Sequence, residues 1–392
     1  MKAISRALDP NPDLNDVAGA DGCLFARDGV GVAGRGVAAR VPIAEVAAVL
    51  ASIDVEGAVG RPLAMGAIPF IPGSSCELII PRVVVGKGPA GERWLTVIDG
   101  DWDEAVASVC CASKPPRPAG GGFSVRPGVE IPTYLAAVAA ARDAVRAGEI
   151  TKAVIARDVI VQSDSPIDIR SVMRRLRASY GSSFAFSIDG LVGASPELLV
   201  QRHGDIVRSH PLAGTVPRTG DPAADAKLAA ELISSTKNQV EHRVVIDVVR
   251  DTLLPWCSYL DWQTEPTIMA VANVQHLATS MEGRLSQPAP SALELARELS
   301  PTPALGGHPR DIALKLIATV EGMQRGRYGG AVGWVDSAGD GTWAVAIRCA
   351  EIKGSRARLF AGGGIVAESD PYAELAETQA KFQAMLSALV RP

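Results

Sequence analysis

The spacing of hydrophobic residues changes along this chain of 392 residues. Residues 1–111 show short alternating runs broken by turn residues, which predict strands, together with one stretch of helical period at 43–53. The segment 112–127 is rich in proline and glycine at its start and has no clear period, so we expect a surface linker there. The periodic signals are strongest over residues 128–392. The sequence therefore predicts three successive regions with these bounds.

Beyond residue 128, runs rich in Val, Ile and Ala predict strands, and segments with apolar residues at intervals of three and four predict helices. The two kinds of element do not follow a regular βαβ order, so the sequence predicts an α+β fold with hairpin-built sheets and helices packed outside them. The expected strands are 151–162, 183–188, 197–202, 206–209, 331–336, 342–352 and 357–361, and the expected helices are 132–147, 166–180, two within 223–254, 292–299, 311–322 and 371–389.

Composition and charge exclude several classes of protein. Hydrophobic residues make up 47% of the chain and charged residues 21%, which is usual for a globular protein and excludes a disordered or collagen-like chain. The net charge is −4 and no block of Lys and Arg stands out, so we expect neither nucleic acid nor a membrane surface as a partner. No run reaches the roughly 18 apolar residues of a membrane span, and no apolar signal core follows Met1. The six scattered cysteines lack a Cys-x-x-Cys motif, which predicts reduced thiols in a cytoplasmic protein.

Two charged residues fall on apolar stretches of predicted strands. Lys152 shares a strand face with Val154 and Ala156, and partial desolvation of its ammonium would favour the neutral form that acts as a base. Glu197 has apolar neighbours on both faces, so its carboxyl would be held toward the neutral form of a general acid. The residues alone leave two plainer alternatives open, namely a strand-end lysine that reaches solvent and a glutamate that pairs with an arginine.

Three glutamates and a lysine fall on predicted helices. Glu241 lies on the apolar stripe of its helix, and a buried anion needs a cation or a proton. Glu374, Glu377 and Lys381 share one face of the last helix. Carboxylates from two helices would suit Mg²⁺, which uses one or two carboxylates together with waters and substrate oxygens. A solvated salt-bridge face, and a glutamate at the edge of the stripe, are the alternatives.

Further candidates lie on or beside the last predicted strands. Arg348 is expected on the middle strand 342–352, on a face of small residues, where its guanidinium could hold a substrate carboxylate. The glycines that follow Ala361 would let the backbone approach a ligand closely. His276 is a lone histidine on a strand-like stretch, and 211–215 reads as a turn with exposed amides. On pattern alone, a core histidine, an ordinary turn and a glycine-rich hairpin exit also account for these residues.

Together these segments resemble the chorismate-utilising enzymes, which include isochorismate, salicylate, anthranilate and aminodeoxychorismate synthases. One such segment is weak evidence, but seven in the same order are specific. The resemblance implies a single large fold of layered antiparallel β-sheets flanked by helices, which residues 1–111 complete and in which 128–392 is the chorismate-binding catalytic region. The segments are ITKAVIAR at 150–157, ASPE at 194–197, PLAGT at 211–215, KNQVEH at 237–242, QHL at 275–277, IR at 347–348, and AGGGI at 361–365 with Glu374, Glu377 and Lys381.

Within this family, two positions imply which nucleophile is used. Members that use water have a lysine at the position of Lys152, where ammonia-using members usually have glutamine, and aminodeoxychorismate synthases have a nucleophilic lysine at the position of Ala213. Lys152 together with Ala213 therefore implies water as the nucleophile. The implied reaction is that of an isochorismate synthase: neutral Lys152 takes a proton from the water that attacks C2 of chorismate, and protonated Glu197 gives a proton to the departing C4 hydroxyl.

The resemblance also implies a metal ion and a set of substrate contacts. Glu241 and Glu377 would hold Mg²⁺, with Glu374 nearby through water, and the ion would bind the ring carboxylate of chorismate. The implied substrate-binding residues are Gly214, Thr215, His276, Ala304, Arg348, Gly362 and Lys381.

One departure and several alternatives accompany this resemblance. Ser300 stands where isochorismate synthases have the histidine of a His-Pro-Thr segment. No motif excludes a salicylate synthase, which would also eliminate pyruvate from isochorismate. Lys152 disfavours an anthranilate-type subunit, so we expect no glutaminase partner, and the presence of every proposed catalytic and metal-binding residue disfavours a non-catalytic binding protein. We expect a monomer whose product feeds siderophore or menaquinone biosynthesis.

Overall fold

The computed structural model describes residues 1–57, 59–111, 121–271 and 274–390. Within these ranges, twenty strands form one hydrogen-bonded sheet and three form a second, smaller sheet. The strands are β1 (Lys2–Ala7), β2 (Cys23–Arg27), β3 (Val30–Pro42), β4 (Asp54–Glu56), β5 (Leu63–Ile68), β6 (Glu77–Lys87), β7 (Arg93–Ile98), β8 (Phe123–Pro127), β9 (Lys152–Ser163), β10 (Phe184–Ile188), β11 (Leu191–Ser195), β12 (Leu198–His203), β13 (Ile206–His210), β14 (Leu212–Pro217), β15 (Cys257–Trp262), β16 (Thr267–Ala270), β17 (Val274–Ala278), β18 (Met281–Leu285), β19 (Gly307–His308), β20 (Ala331–Asp336), β21 (Gly341–Val345), β22 (Cys349–Lys353) and β23 (Arg356–Ile365).

Helices flank these sheets, and neighbouring strands pair mainly antiparallel, as the α+β prediction requires. Among the described residues, no helix is long and apolar enough to span a membrane. The helices are α1 (Leu14–Ala18), α2 (Val46–Ala51), α3 (Trp102–Cys110), α4 (Ile131–Arg146), α5 (Ile169–Ser179), α6 (Pro222–Ser234), α7 (Thr236–Leu253), α8 (Ala292–Leu299), α9 (Arg310–Val320) and α10 (Pro371–Val390), with a 3₁₀ turn at Leu254–Trp256.

Residues 1–111 and the rest of the chain contribute to the same large sheet. β2 pairs with β10, where Ala26 lies opposite Ala185, and β5 pairs with β20, where Ile68 lies opposite Ala331. The predicted linker 112–127 differs from the structure at its end. Residues 112–120 lie outside the described residues, but β8 is a strand that pairs antiparallel with β9. Its residues are mostly exposed, so no hydrophobic alternation marked the strand in the sequence.

β9 is the strand on which the site is built. It is buried along nearly its whole length, because β23 pairs with it over ten residues while β19 and β8 cover parts of its other edge. Ala153 and Ile155 belong to the larger hydrophobic core, and Val159 and Val161 to the smaller one. A strand packed in this way reads as a continuous apolar run, which explains why its bounds were predictable to within one residue.

The predicted middle strand 342–352 is in fact two strands, β21 and β22. Arg348 lies in the bend between them and has φ of 50°, a left-handed conformation that interrupts a strand. The amide of Ala194 donates to the carbonyl oxygen of Arg348 at 3.1 Å, which ties the bend to β11. The prediction that Arg348 sits on a strand face among small residues is therefore wrong. The apolar character of the segment continues through the bend, so the sequence pattern carried no sign of it.

Candidate active site

All twelve residues singled out from the sequence line one cavity of about 200 Å³. The cavity lies where the start of β9 and the glycine-rich end of β23 meet β14, β17, α7 and α10. The structure thus brings together side chains that are up to 229 positions apart in the chain. They are Lys152, Glu197, Gly214, Thr215, Glu241, His276, Ala304, Arg348, Gly362, Glu374, Glu377 and Lys381.

A buried ion pair joins β9 to α7. Lys152 is the first residue of β9 and is only 1% exposed, so its side chain does not reach solvent. Its Nζ lies 2.8 Å from Oε1 of Glu241, whose side chain is 13% exposed. The backbone of Lys152 is held by β19, where His308 lies opposite it. The amphipathic pattern of α7 therefore places a carboxylate against the lysine that the sequence marked as a candidate base.

Glu197 sits in the short gap between β11 and β12 and is 2% exposed. The amide of Leu212 donates a long hydrogen bond of 3.4 Å to its Oε1. Burial raises the pKa of this carboxyl to about 8, although the Leu212 amide and the charges of Lys152 and Arg348 act in the opposite direction. The alternative of a glutamate paired with an arginine is not found within the described part of the chain. At neutral pH the side chain is mainly a neutral acid.

A polar cluster on β14 and β17 faces the bend that carries Arg348. Thr215 and His276 lie opposite each other in the small sheet, with 3.0 Å between Oγ1 and Nδ1. Nη2 of Arg348 lies 3.4 Å from Nε2 of His276. Burial, followed by the charges of Arg348 and Lys381, lowers the pKa of His276 to about 3. The ring is therefore neutral, and its Nε2 accepts from Arg348 while Nδ1–H donates toward Thr215 or Gly214.

Arg348 itself carries an unfilled hydrogen-bond donor. Its Nη1 is buried and has no partner among the described residues. An unpaired buried donor costs about 1–3 kcal/mol, more for a charged group, until a partner is supplied. A carboxylate in the cavity would provide that partner and could accept two parallel hydrogen bonds from the guanidinium. The geometry thus fits a carboxylate-binding role, although the residue lies in a bend and not on a strand.

α10 places two glutamates and a lysine on the cavity. Oε1 of Glu377 lies 2.5 Å from Nζ of Lys381, which also donates to the carbonyl oxygen of Gly362 at 2.7 Å. Burial would raise the pKa of Glu377, but the adjacent Lys381 holds it below the usual value. Burial, together with the charge of Glu377, raises the pKa of Glu374 to about 7. The three residues therefore share one face of α10, as the sequence indicated, and this face lines the cavity.

The carboxylates fit a divalent cation, although they do not form a complete site by themselves. In the described ranges, no three His, Cys, Asp or Glu side chains converge closely enough to hold an ion without help. Oε2 of Glu374, however, is buried and lacks a hydrogen-bond partner. A Cβ on Gly363 would clash with that oxygen, and a Cβ on Gly364 would clash with Oε1 of Glu241. The glycines leave room for these oxygens, which are the hard ligands that Mg²⁺ prefers when substrate and water oxygens complete its shell.

The sequence reasoning missed three residues with polar side chains that line the cavity. Lys237 and Asn238 open α7, and the motif at 237–242 contained both without assigning them a role. The charge of Lys237 lowers the pKa values of the two α10 glutamates, though it is not the largest cause of either shift. Tyr328 stacks on Phe360 with 5.0 Å between ring centroids, and no signal in the sequence marked it. Ser300, the noted departure, is buried but does not line the cavity.

Comparison with known proteins places this cavity in context. A family model described as "Chorismate binding enzyme" matches residues 110–390. The chain belongs to the chorismate-binding enzyme family. Isochorismate synthase DhbC of Bacillus subtilis is 39% identical over 340 residues, which are 84% of this chain and 81% of DhbC. Isochorismate synthase EntC of Escherichia coli K12 is 35% identical over 349 residues, which are 88% of this chain and 85% of EntC.

A solved structure shows that the fold is shared over nearly all of the chain. The menaquinone-specific isochorismate synthase MenF of Escherichia coli superposes with a TM-score of 0.84 and covers 99% of this chain and 94% of its own, at 24% identity. The resemblance drawn from the seven motifs and the predicted fold class are therefore confirmed.

Proposed function

We propose that this protein is an isochorismate synthase, which converts chorismate to isochorismate. The observation that carries the proposal is the state of two buried groups on one cavity: Lys152, which a carboxylate holds in place, and Glu197, which stays protonated at neutral pH. A reaction in which water enters at one ring carbon and hydroxyl leaves from another needs one base and one acid. The names of DhbC and EntC, at 39% and 35% identity, support the same activity.

In the proposed reaction, Lys152 accepts a proton from the water that attacks C2 of chorismate, and Glu197 donates a proton to the hydroxyl that leaves C4. The ring double bonds shift between the two carbons. One water enters and one leaves, so the net reaction is an isomerisation. General acid and base catalysis contribute about 10²–10⁴-fold each when the groups are correctly placed. The pKa of about 8 for Glu197 keeps this acid protonated at neutral pH.

Mg²⁺ is the cofactor that we propose, with Glu241 and Glu377 as ligands and Glu374 nearby through water. When bound, the ion supplies positive charge that neutralises and orients a substrate carboxylate. The ion pair between Lys152 and Glu241 bears on this assignment, because the carboxylate proposed as a metal ligand also contacts the proposed base at 2.8 Å. An ion bound to Glu241 would therefore share this carboxylate with Lys152.

The remaining lining residues are proposed to bind chorismate. The unfilled Nη1 of Arg348 and the ammonium of Lys381 would hold carboxylates, and His276 would lie beside the ring. Backbone groups of Gly214, Thr215, Ala304 and Gly362 complete the proposed contacts. We propose that the product enters siderophore or menaquinone biosynthesis, since both DhbC and the menaquinone-specific MenF are similar to this chain.

Product analysis tests the proposal directly. The purified chain is incubated with chorismate, with and without Mg²⁺, and the products are separated by chromatography while pyruvate is measured by an enzymatic assay. We expect a mixture of chorismate and isochorismate that forms only with Mg²⁺ and without pyruvate. Equal amounts of pyruvate and salicylate would instead identify a salicylate synthase. No conversion by the wild-type chain under any of these conditions would refute the proposed activity.

A further inference from the structure

A second buried ion pair lies directly behind the cavity. Glu321, the C-cap residue of α9, and Arg325, in the loop that follows, are four positions apart, and each side chain is only 1% exposed. Nε of Arg325 donates to Oε2 of Glu321 at 2.8 Å, and Nη2 donates to Oε1 at 2.5 Å. Neither residue lines the cavity. A fully desolvated pair of this kind gives little net stability by itself, and both of its partners also bond to surrounding backbone groups.

The pair completes the hydrogen bonding of β9 where a neighbouring strand is missing. On this edge, β19 covers Lys152 and Ala153, and β8 begins to pair only at Val159. Between them, Nη2 of Arg325 donates to the carbonyl oxygen of Val154 at 2.7 Å, and the amide of Ala156 donates to Oε1 of Glu321 at 2.7 Å. The ion pair thus supplies hydrogen-bond partners to the Val154 carbonyl and the Ala156 amide, which have no strand partner on this edge. These groups lie two and four residues after Lys152.

The same guanidinium also holds the opposite wall of the cavity. Nη1 of Arg325 donates to the carbonyl oxygen of Leu305 at 2.7 Å, and Leu305 and its neighbour Ala304 both line the cavity. The Arg325 guanidinium lies 4.1 Å from the centroid of the Phe70 ring, which comes from the first region of the chain. Together with the hydrogen bond from the Val154 amide to the Gly306 carbonyl oxygen at 2.9 Å, this side chain therefore links the strand of Lys152 to the wall formed by Ala304 and Leu305.

We propose that Glu321 and Arg325 are positioning residues that set where Lys152 stands relative to the substrate-binding wall. They touch neither substrate nor the reacting water and act through β9 and the Leu305 backbone. The proposal rests on the isochorismate synthase activity proposed above. Because a small misplacement of a catalytic group is costly, disturbing the pair should lower kcat far more than it changes KM.

Two substitutions disturb the pair while keeping its size. Arg325→Lys keeps the charge but cannot reach Glu321, Val154 and Leu305 together, because an ammonium lacks the planar fork of a guanidinium. Glu321→Gln keeps an acceptor for the Ala156 amide but presents an NH₂ group to the arginine. Arg327→Lys is the matched control. Arg327 also combines a carboxylate at 3.1 Å with bonds to two carbonyl oxygens, but it lies outside the active-site cavity.

Each variant is assayed for isochorismate formation at saturating Mg²⁺, well below its own melting temperature. We expect kcat of Arg325→Lys and Glu321→Gln to fall about tenfold or more with KM within about threefold of wild type, while Arg327→Lys keeps wild-type kcat. A kcat within about twofold of wild type in folded Arg325→Lys and Glu321→Gln would overturn the proposal. An equal loss of kcat in Arg327→Lys would also overturn it, because the effect would then not depend on contact with β9 and Leu305. Failure of both variants to fold at any temperature would overturn it as well, because the pair would then serve only to stabilise the fold. An inactive wild-type chain would refute the activity itself and is thus a distinct outcome.

Discussion

Raising the pH from 7 to 9 should remove the proton that Glu197 is proposed to donate. With a pKa of about 8, the carboxyl is roughly 90% protonated at pH 7 and roughly 10% protonated at pH 9. If the departing C4 hydroxyl needs this proton, kcat should fall about tenfold over that interval. Burial raises this pKa, and in the described part of the chain no cation lies within ion-pair distance of the carboxylate to lower it again. The predicted fall in kcat therefore has its origin in the burial of Glu197.

The assay is the initial rate of isochorismate formation at saturating chorismate and Mg²⁺ between pH 6 and pH 9.5. Glu197→Gln is the control, because it keeps the shape of the side chain but has no acidic proton. We expect its kcat to be about 10²–10⁴-fold lower than that of wild type, and its residual rate not to fall above pH 8. The same fall in Glu197→Gln, or a wild-type kcat that is constant from pH 7 to pH 9, would refute the assignment of this group as the acid.

Stability provides a readout of the same carboxyl that does not depend on catalysis. The folded-state pKa of Glu197 lies near 8, above the ordinary value of 4.5, so the folded chain holds a proton that the unfolded chain releases. The free energy of unfolding is therefore not reduced by this carboxyl below about pH 4.5, and it falls as the pH rises from there toward 8. At pH 7 the buried carboxyl lowers the free energy of unfolding by about 3 kcal/mol, from about 1.4 kcal/mol per pH unit. Glu197→Gln avoids this cost, so we expect it to melt above wild type at pH 7 by a margin that narrows toward pH 5; a variant that melts lower at both pH values would contradict the burial argument.

Three further substitutions test the other proposed roles. Lys152→Ala should abolish isochorismate formation while chorismate still binds in a Mg²⁺-dependent way, as measured by fluorescence titration; retained turnover would exclude Lys152 as the base. Glu241→Ala should raise the Mg²⁺ concentration for half-maximal rate about tenfold or more, and an unchanged metal titration would remove Glu241 from the ligand set. Gly364→Ala should likewise raise the Mg²⁺ requirement and also lower kcat, because its Cβ would displace the carboxylate of Glu241 and press on Cε of Lys152; a variant with wild-type kcat and metal dependence would show that this close packing is not needed.

The residue types at the site were predictable because each violates its local pattern. Lys152 begins an apolar strand and Glu241 lies on the apolar stripe of a helix, two places where a charged side chain is not expected. Lys152 is buried and Glu241 nearly so, and each neutralises the charge of the other. The strongly periodic elements were also predictable. α8 has the expected bounds, 292–299, and its capping box at Ser291 and Glu294 shows why the helix begins there.

What the sequence could not show depends on contacts between distant segments. The left-handed bend at Arg348 is held by β11, so nothing in the local alternation predicts it. The strand β8 is mostly exposed and is defined only by its pairing with β9. Likewise, Arg325 lies in the loop after α9, and no pattern in the sequence marked it; its role follows only from its bonds to Val154 and Leu305. In each case tertiary hydrogen bonds decide the role of the residue, and hydrophobic periodicity does not report them.

Charged partners decide the protonation states of two carboxyls in the cavity more than burial does. Glu197 and Glu377 both line the cavity, and burial acts to raise the pKa of each. Of these two, only Glu377 has an ammonium in contact, that of Lys381 at 2.5 Å. The pKa of Glu377 is therefore held below the usual value, while that of Glu197 rises to about 8. One cavity can therefore hold a proton donor and an anion at the same pH. Lys381→Met removes this ammonium and should for this reason raise the pKa of Glu377. As the pH falls, Mg²⁺ binding at that carboxylate should then weaken at a higher pH than in wild type, because protons compete for the carboxylate sooner. A calorimetric Mg²⁺ titration at pH 6 and pH 8 measures this difference, and equal pH dependence in the two proteins would show that Lys381 does not set the state of Glu377.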